Sequence, residues 1–249
     1  MNNTIRLFVL GQSIWYDNIQ RSLLKNGQFA EMITRGEIRG VTSNPSIFKN
    51  AITKSQDYDG SLQKINQLGL SPEAVFFDLA VEDIQEAADL FLPLYEQSQA
   101  GDGYVSLEVS PFLADDAEAT LIQAKELWQR VNRSNLMIKI PATKAGLPAI
   151  TEAIAAGINV NVTLIFSLER YAEVMDAYLK GLENRAEAGL PLDHIASVAS
   201  FFVSRVDTNV DAKLQKLVEA GSVQAQNTEG LFGKAAIANA RLAYKAYQE

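Results

Sequence analysis

The 249-residue sequence contains no cysteine, a single histidine and no long apolar run. Without cysteine, the chain has no disulfide framework, no thiolate zinc site and no cysteine nucleophile. With His194 as its only imidazole, it does not suit a multi-histidine metal centre or a Ser-His-Asp triad. Its apolar segments fall short of the roughly 20 residues that span a bilayer, and the apolar stretch at residues 7–10 is too short for a signal peptide. We therefore expect no membrane partner and a cytoplasmic location.

Basic residues are fewer than acidic ones: the sequence has 22 lysines and arginines and 30 aspartates and glutamates, which gives a net charge of −8. This balance disfavours a broad surface for nucleic acid, although a local basic pocket for one phosphate remains compatible with it. The hydrophobic content of 47% is enough for a large core. Chains of this length form one or two domains, and α/β barrels often reach this size as a single domain.

Short β-branched segments alternate with helical patterns along most of the chain. Strands are predicted at residues 13–19, 40–47, 104–110, 136–142, 159–166 and 195–202. Helices are predicted at residues 20–34, 57–70, 71–99, 115–131, 147–156, 167–188, 208–219 and 228–248. This alternation predicts parallel strands joined by right-handed crossovers. Because no flexible linker interrupts the pattern, residues 1–249 are predicted to form one domain.

The predicted strand at residues 136–142 carries a lysine inside an apolar run. A parallel strand that is buried on both faces reads as nearly continuous apolar sequence, and Lys139 interrupts it. Burying an ammonium group is costly and favours the neutral amine, which can form a Schiff base with a carbonyl substrate. The alternative is a lysine that reaches water at the strand end or pairs with a carboxylate.

Polar side chains recur on one face of the predicted strands, near their C-terminal ends. Side chains alternate between the two faces of a strand. The residues that share this face are Trp15 with Asp17, Thr42 with Asn44, Ser106 with Glu108, Asn161 with Thr163, and Ser200 with Phe202, while Val160, Val162 and Leu164 lie opposite. In a barrel this face is the interior, and the active site lies at the C-terminal mouth. An open doubly wound sheet would not need a polar residue from every strand, so the distribution favours a barrel.

Each residue of this set also has a purely structural interpretation. Asp17 could cap the helix that follows it, and Asn44 precedes a proline in a common turn sequence. Glu108 could serve only as the ion-pair partner of the lysine. Thr163 could be an ordinary strand residue, and Arg205 could be a surface residue at a helix start. Together, however, an amine, two carboxylates and several hydrogen-bonding groups suit carbonyl chemistry better than they suit a core.

Several motifs give the sequence a resemblance to a known family. They are GVTSNPS at residues 40–46, IKIPAT at residues 138–143 and NVTLIFS at residues 161–167, and residues 13–18 and 200–205 also fit. In order and spacing the chain resembles transaldolases, the Schiff-base enzymes of the non-oxidative pentose phosphate pathway, from about residue 10 onwards. The Trp-Tyr-Asp sequence and the helical insert before the third strand are similar to those of the longer bacterial type.

This resemblance implies a (β/α)8 barrel of the TIM type. It implies transfer of a dihydroxyacetone unit from sedoheptulose 7-phosphate or fructose 6-phosphate to glyceraldehyde 3-phosphate or erythrose 4-phosphate, with no cofactor and no metal. Sugar phosphates would therefore be the partners, and a homo-oligomer is compatible with the sequence. The implied catalytic residues are Lys139, Asp17, Glu108 and Thr163, and the implied substrate-binding residues are Thr42, Asn44, Asn161, Ser200 and Arg205.

The sequence departs from the family pattern in the number of strand–helix units. Only about six of the eight expected units are predicted, so we expect a barrel domain that is truncated at its C-terminus. Two alternatives to a transaldolase follow. One is a lyase similar to fructose-6-phosphate aldolase, which would release free dihydroxyacetone. The other is an inactive barrel fragment that acts only as a binding or interaction module.

Overall fold

The computed structural model describes residues 2–66, 69–221, 228 and 230–249. Within these residues, six strands form a single sheet in which every neighbouring pair is parallel. The strands are β1 (Trp15–Tyr16), β2 (Gly40–Thr42), β3 (Val105–Glu108), β4 (Leu136–Pro141), β5 (Val160–Ile165) and β6 (Ser197–Phe201). They lie side by side in sequence order, without the reversal that a doubly wound sheet requires. The sheet and its helices therefore form a half-barrel of the TIM type, with about six units, as predicted.

The helices follow the strands in the order that the sequence pattern predicts. They are α1 (Asn3–Val9), α2 (Arg21–Lys25), α3 (Gln28–Thr34), α4 (Pro45–Lys54), α5 (Asp59–Asn66), α6 (Pro72–Gln97), α7 (Ala117–Val131), α8 (Gly146–Ala155), α9 (Leu168–Glu187), α10 (Ser204–Glu219) and α11 (Ala235–Gln248). A short 3-10 helix, Pro111–Leu113, follows β3. None of the helices in the described part of the chain combines the length and hydrophobicity needed to cross a bilayer.

The core lies between the central strands and the helices that cover them. Every residue of β4 is buried, and Leu136, Ile138 and Ile140 are fully enclosed. Neighbouring β3 and β5 add further buried aliphatic side chains, which pack against α7, α8 and α9. Burial of such side chains contributes about 1.5–3 kcal/mol each. This packing fixes the position of β4 and therefore of the lysine that it carries.

The first two strands are much shorter than predicted, and their ends have local causes. The prediction for β2 extended to residue 47, but Asn44 is the N-cap of α4 and Pro45 occupies the first helical position. An N-cap and a proline at this position start a helix, so the strand ends before them. The predicted helix at residues 20–34 is also wrong in one respect. It is divided into α2 and α3 at Gly27, whose φ of 84° suits glycine.

The predicted alternation in β5 fails at Leu164. This residue has a φ of 62° and is 38% exposed, whereas Ile165 is fully buried. The pairing register between β5 and β6 shifts between Val162 and Ile165, which marks an irregularity of the β-bulge kind. Leu164 was expected in the core opposite Thr163, and the extra residue in the strand places Ile165 there instead.

Two further differences concern helices. Helix α1 was not predicted, because its short apolar stretch carries little helical periodicity, yet Asn2 caps it by accepting a hydrogen bond from the Ile5 N–H. Helix α11 starts at Ala235 rather than at residue 228. Residue 229 of that prediction, and residues 67 and 68 of the prediction for residues 57–70, lie outside the described residues.

Candidate active site

Lys139 points from the middle of β4 into the interior of the half-barrel. Its side chain is only 8% exposed. Its Nζ donates hydrogen bonds to the Ser43 carbonyl at 3.1 Å and to Thr42 Oγ1 at 3.3 Å. The Glu108 carboxylate lies 3.8 Å from the same nitrogen. The lysine is therefore buried among acceptors from β2 and β3 and does not reach out to solvent.

Glu108 faces this amine from the neighbouring strand. Register pairing places Glu108, Lys139 and Asn161 in one row across β3, β4 and β5. Burial raises the pKa of the Glu108 carboxyl, and the ammonium of Lys139 opposes this effect. The negative charge of Asp17 raises the Glu108 pKa further, and the positive charge of Arg205 lowers it. Charges act on each other mainly within roughly 10 Å, so Asp17, Lys139 and Arg205 all lie within electrostatic range of Glu108.

Asp17 follows β1 directly and is exposed. It does not cap α2, because the N-cap of that helix is Gln20 and no side chain caps it. The capping alternative for Asp17 is therefore wrong. The charge of Asp17 acts on Glu108, and among the described residues the sheet has no further strand beyond β1.

A chain of buried hydrogen bonds connects the interior faces of β3, β5 and β6. Asn161 Nδ2 donates to Ser106 Oγ at 3.1 Å, and Ser200 Oγ donates to Asn161 Oδ1 at 2.8 Å. Ser106 and Asn161 are almost fully buried. Both polar atoms of the Asn161 amide therefore already have partners within the protein.

Asn44 and Thr163 both lie near the C-terminal ends of the strands, but Asn44 starts a helix and Thr163 is part of a strand. Asn44 Oδ1 accepts a hydrogen bond from the Ile47 N–H at 3.0 Å and caps α4, a structural role more specific than the turn residue that was considered. Its Nδ2 group makes no hydrogen bond within the described residues. Thr163 is buried in β5 and pairs in register with Pro141, two residues beyond Lys139. Its side chain lies on the same face as Asn161.

Arg205 is the second residue of α10, which starts three residues after the end of β6, and its side chain is exposed. Its guanidinium lies over the Phe202 ring, 4.8 Å from the ring centre. Phe202 packs in turn against Phe166, with ring centres 5.0 Å apart. Arg205 is thus a surface residue at a helix start, as its structural interpretation holds, but stacking also fixes it beside the mouth of the half-barrel.

Comparison with known proteins now adds to this geometry. A family model described as "Transaldolase/Fructose-6-phosphate aldolase" matches residues 14–249. The chain belongs to this family. Among its relatives, a protein named "Transaldolase" from Thermobifida fusca (strain YX) is 53% identical over 239 residues, 96% of this chain and 63% of the relative. "Transaldolase 1" from Streptomyces avermitilis is 52% identical over 249 residues, 100% of this chain and 64% of the relative.

A third relative extends the same result. "Transaldolase" from Mycolicibacterium smegmatis is 51% identical over 247 residues, which cover 99% of this chain and 65% of that protein. The chain thus spans just under two-thirds of the length of the curated relatives that it matches. The resemblance to transaldolases that the motifs indicated is confirmed.

Within this transaldolase/aldolase framework, the structure reveals one contributor that the sequence did not indicate. Ser43 supplies the backbone carbonyl that accepts a hydrogen bond from Lys139 Nζ. Alternation along the strand placed the Ser43 side chain on the face opposite Thr42, away from the interior. A backbone carbonyl has no sequence signature, and only the turn geometry before Asn44-Pro45 could have pointed to it.

In the described part of the chain, no group of three or more histidine, aspartate or glutamate side chains is arranged to hold a metal ion. The acidic group beside the amine is Glu108, whose carboxylate lies 3.8 Å from Lys139 Nζ, within ion-pair range.

Proposed function

We propose that this chain carries the Schiff-base machinery of a transaldolase. It would transfer a dihydroxyacetone unit from sedoheptulose 7-phosphate or fructose 6-phosphate to an aldose phosphate. The observation that carries the proposal is the buried amine of Lys139, held by Thr42 and the Ser43 carbonyl and faced by Glu108. Such a lysine is the nucleophile that covalent carbonyl chemistry requires.

In the first step, Lys139 Nζ attacks the C2 carbonyl of the ketose and forms a carbinolamine. Loss of the hydroxyl as water then leaves the iminium. Glu108 and Thr163 would hold a water molecule that moves protons during both events. Burial raises the pKa of the Glu108 carboxyl, which favours its protonated form and suits donation to the departing hydroxyl.

In the second step, Asp17 removes the proton from the C4 hydroxyl. The C3–C4 bond breaks, its electron pair moves into the iminium, and an aldose phosphate leaves. The enamine that remains attacks the aldehyde of the second aldose phosphate, and Asp17 returns its proton to the new hydroxyl. Hydrolysis of the iminium releases the product and regenerates the free amine of Lys139.

The remaining predicted residues would bind the sugar. Thr42, Asn44, Asn161 and Ser200 would hydrogen-bond its hydroxyls, and Arg205 would bind the phosphate, which matches guanidinium geometry. For Asn44, the free Nδ2 group supports this role, since only Oδ1 is used in capping. We further propose a cytoplasmic protein of the pentose phosphate pathway with sugar phosphates as partners, no nucleic acid or membrane partner, and self-association through the open sheet edges.

Borohydride trapping tests the proposal directly. The folded chain is incubated with fructose 6-phosphate, reduced, digested and analysed by mass spectrometry. We expect a stable adduct on the peptide that contains Lys139, and its complete loss in Lys139→Ala. The matched control is Lys125→Ala, which removes an exposed lysine from α7 and should leave the adduct unchanged. The absence of an adduct from folded protein under saturating sugar would refute the enzymatic function.

An aldolase of the same family is the second candidate, and one observation favours it. Asp17 is exposed, so water could reach the enamine and protonate it before an acceptor aldose arrives. The reaction would then release dihydroxyacetone. Product analysis with fructose 6-phosphate as the donor, with and without erythrose 4-phosphate as the acceptor, separates the two: a transaldolase forms sedoheptulose 7-phosphate only with the acceptor, whereas an aldolase releases dihydroxyacetone in both cases.

The non-catalytic alternative is favoured by the unpaired edges. Within the described residues, β1 and β6 each have only one neighbouring strand. Such edges can pair with another chain. A module of this kind would bind the sugar or a partner without forming the reduced adduct on Lys139.

A further inference from the structure

Ser43 is buried and precedes Asn44 in the chain. It makes hydrogen bonds to both β3 and β4. Its Oγ donates a hydrogen bond to the Ser106 carbonyl on β3 at 2.7 Å. Its own carbonyl accepts a hydrogen bond from Lys139 Nζ at 3.1 Å. The hydroxyl therefore anchors the same peptide unit that faces the amine, and rotation of that unit would break one contact or the other.

Ser106 connects this anchor to the rest of the interior. Its carbonyl accepts from Ser43, and its hydroxyl accepts from Asn161, which in turn accepts from Ser200. We call Ser43, Ser106, Asn161 and Ser200 the serine network. It joins the end of β2 with β3, β5 and β6, and the Ser43 carbonyl is the member that accepts a hydrogen bond from Lys139 Nζ.

We infer that Ser43 is a positioning residue for Lys139, and that Ser106 positions Asn161 and Ser200 for the sugar. This inference rests on the proposed Schiff-base function. A lysine side chain has many rotamers, and a fixed acceptor on Nζ selects among them. The position of the amine then determines its distance and angle to the substrate carbonyl, where a displacement of about 1 Å can cost on the order of a hundredfold in rate.

The two serines affect different kinetic quantities. Ser43 contacts the residue that attacks the carbonyl, and Ser106 contacts a residue proposed to bind the sugar. Ser43→Ala frees the peptide that holds the amine, so it lowers the rate of bond formation. Ser106→Ala keeps the backbone carbonyl that anchors Ser43 but removes the hydroxyl that holds Asn161. It therefore weakens binding of the sugar more than it slows attack by the amine.

The test measures the rate of borohydride trapping over a range of fructose 6-phosphate concentrations. For Ser43→Ala we expect the saturating rate to fall about tenfold while the half-saturating concentration stays within about twofold. For Ser106→Ala we expect the reverse, with a rise of about fivefold in the half-saturating concentration. Equal effects of both variants on both quantities would overturn the inference.

Ser197→Ala is the matched control. Ser197 Oγ donates to the Val160 carbonyl of the adjacent strand at 2.9 Å, which is the same kind of bond as that of Ser43. It lies at the start of β6, whereas the site is at the C-terminal ends of the strands. Ser197→Ala therefore measures how much the trapping rate changes when a hydrogen bond of this kind is lost away from the site. A fall in trapping rate in Ser197→Ala as large as that in Ser43→Ala would overturn the positioning role.

A second measurement does not depend on the sugar. The chain is labelled with formaldehyde and cyanoborohydride, and methylation of Lys139 is compared with that of exposed Lys125 in the same sample. Formaldehyde needs little orientation, so Ser43→Ala should release the amine and raise the ratio about threefold. An unchanged ratio refutes positioning by Ser43. Failure of wild type to trap sugar, together with a raised ratio, refutes the proposed function and leaves the positioning intact.

Discussion

At the level of single residues, Asn44 combines two tasks in one amide. Its Oδ1 caps α4, and its Nδ2 is proposed to bind the sugar. Asn44→Asp keeps a capping oxygen and loses the donor, so we expect unfolding stability to stay within a few tenths of a kcal/mol. Asn44→Ala loses both and should cost about 1 kcal/mol.

For the Asn44 variants, urea denaturation measures the unfolding free energy, and borohydride trapping at increasing sugar concentration measures sugar binding. Both variants should require more sugar for half-saturation, because neither retains an amide donor. If Asn44→Asp trapped sugar as well as wild type, the residue would be a cap and nothing more.

Glu108 should make stability depend on pH. Because burial raises its pKa, folding favours the protonated carboxyl, and that contribution is lost as the pH rises through the raised value. Glu108→Gln resembles the protonated form and does not ionise. We therefore expect the unfolding free energy of the variant, relative to wild type, to increase from about pH 4 to about pH 8.

Denaturant unfolding at each pH tests the Glu108 prediction, and Glu126→Gln on the exposed face of α7 controls for the substitution itself. A difference that stays flat or falls with pH would contradict it. Lys139 opposes the shift but does not reverse it, so its presence alone does not account for a flat result.

The sequence indicated the residues of the site better than their contacts. Strand alternation placed Lys139, Glu108 and Asn161 on one face, and the structure has them in one row. It did not indicate that Asn161 is bonded on both sides within the protein, because such pairs depend on the distance between strands that are far apart in sequence. The sequence did not indicate the Ser43 carbonyl, because every residue has a backbone carbonyl and the residue type does not show which one faces the lysine.

At the level of elements, an ionic cluster attaches the helical insert to the half-barrel. Arg21 on α2 donates from Nε to Asp83 on α6 at 2.7 Å, and the Tyr58 hydroxyl donates to the same carboxylate at 2.6 Å. The guanidinium also lies over the Tyr58 ring, 4.4 Å from its centre. Asp83 is therefore the shared acceptor that joins α2, the start of α5 and α6.

Removing that acceptor should be costly. Asp83→Ala leaves the buried Arg21 guanidinium with fewer partners and should cost about 3 kcal/mol, because a buried charge that loses its partner is poorly compensated. The matched control, Asp89→Ala, removes the partner of Arg133 from a pair in which Asp89 is 52% exposed. It should cost less than about 1 kcal/mol.

Thermal and urea denaturation of both aspartate variants measure this difference. Equal losses in the two would mean that the Arg21 cluster contributes no more than a surface ion pair. The remaining contacts of Arg21 set a limit on the loss; they are made to Ser61, Glu82, the Leu79 carbonyl and the Tyr58 ring.

The elements themselves were largely predictable, and their ends were not. Helix α6 has Ser71 as its N-cap, at the start of the predicted helix, and continues through Pro93 to Gln97. The ends of β1 and β2 depend on where the following helices start. The irregularity at Leu164 depends on how β5 meets β6, which the pattern within a single strand does not contain.

At the level of the whole molecule, the central strands of the sheet are paired on both sides, whereas β1 and β6 are edge strands among the described residues. Strand β4 has neighbours on both sides and buried side chains on both faces. Strand β6 has one neighbour among the described residues, and its side chains are half-buried or exposed. In a parallel strand, alternate amides point to opposite sides, so about half of those in β6 lack a strand partner.

Protection from amide exchange should therefore fall off from the centre to the edges. We expect the slowest exchange in β4, with protection near the global unfolding free energy, and exchange at least about a hundredfold faster in the outward amides of β6. Hydrogen-exchange mass spectrometry at low and high protein concentration measures both strands in the same sample. Equal protection of β4 and β6 at every concentration would contradict an open edge. Protection of β6 that rises with concentration, while β4 stays constant, would identify that edge as the surface where a second copy pairs.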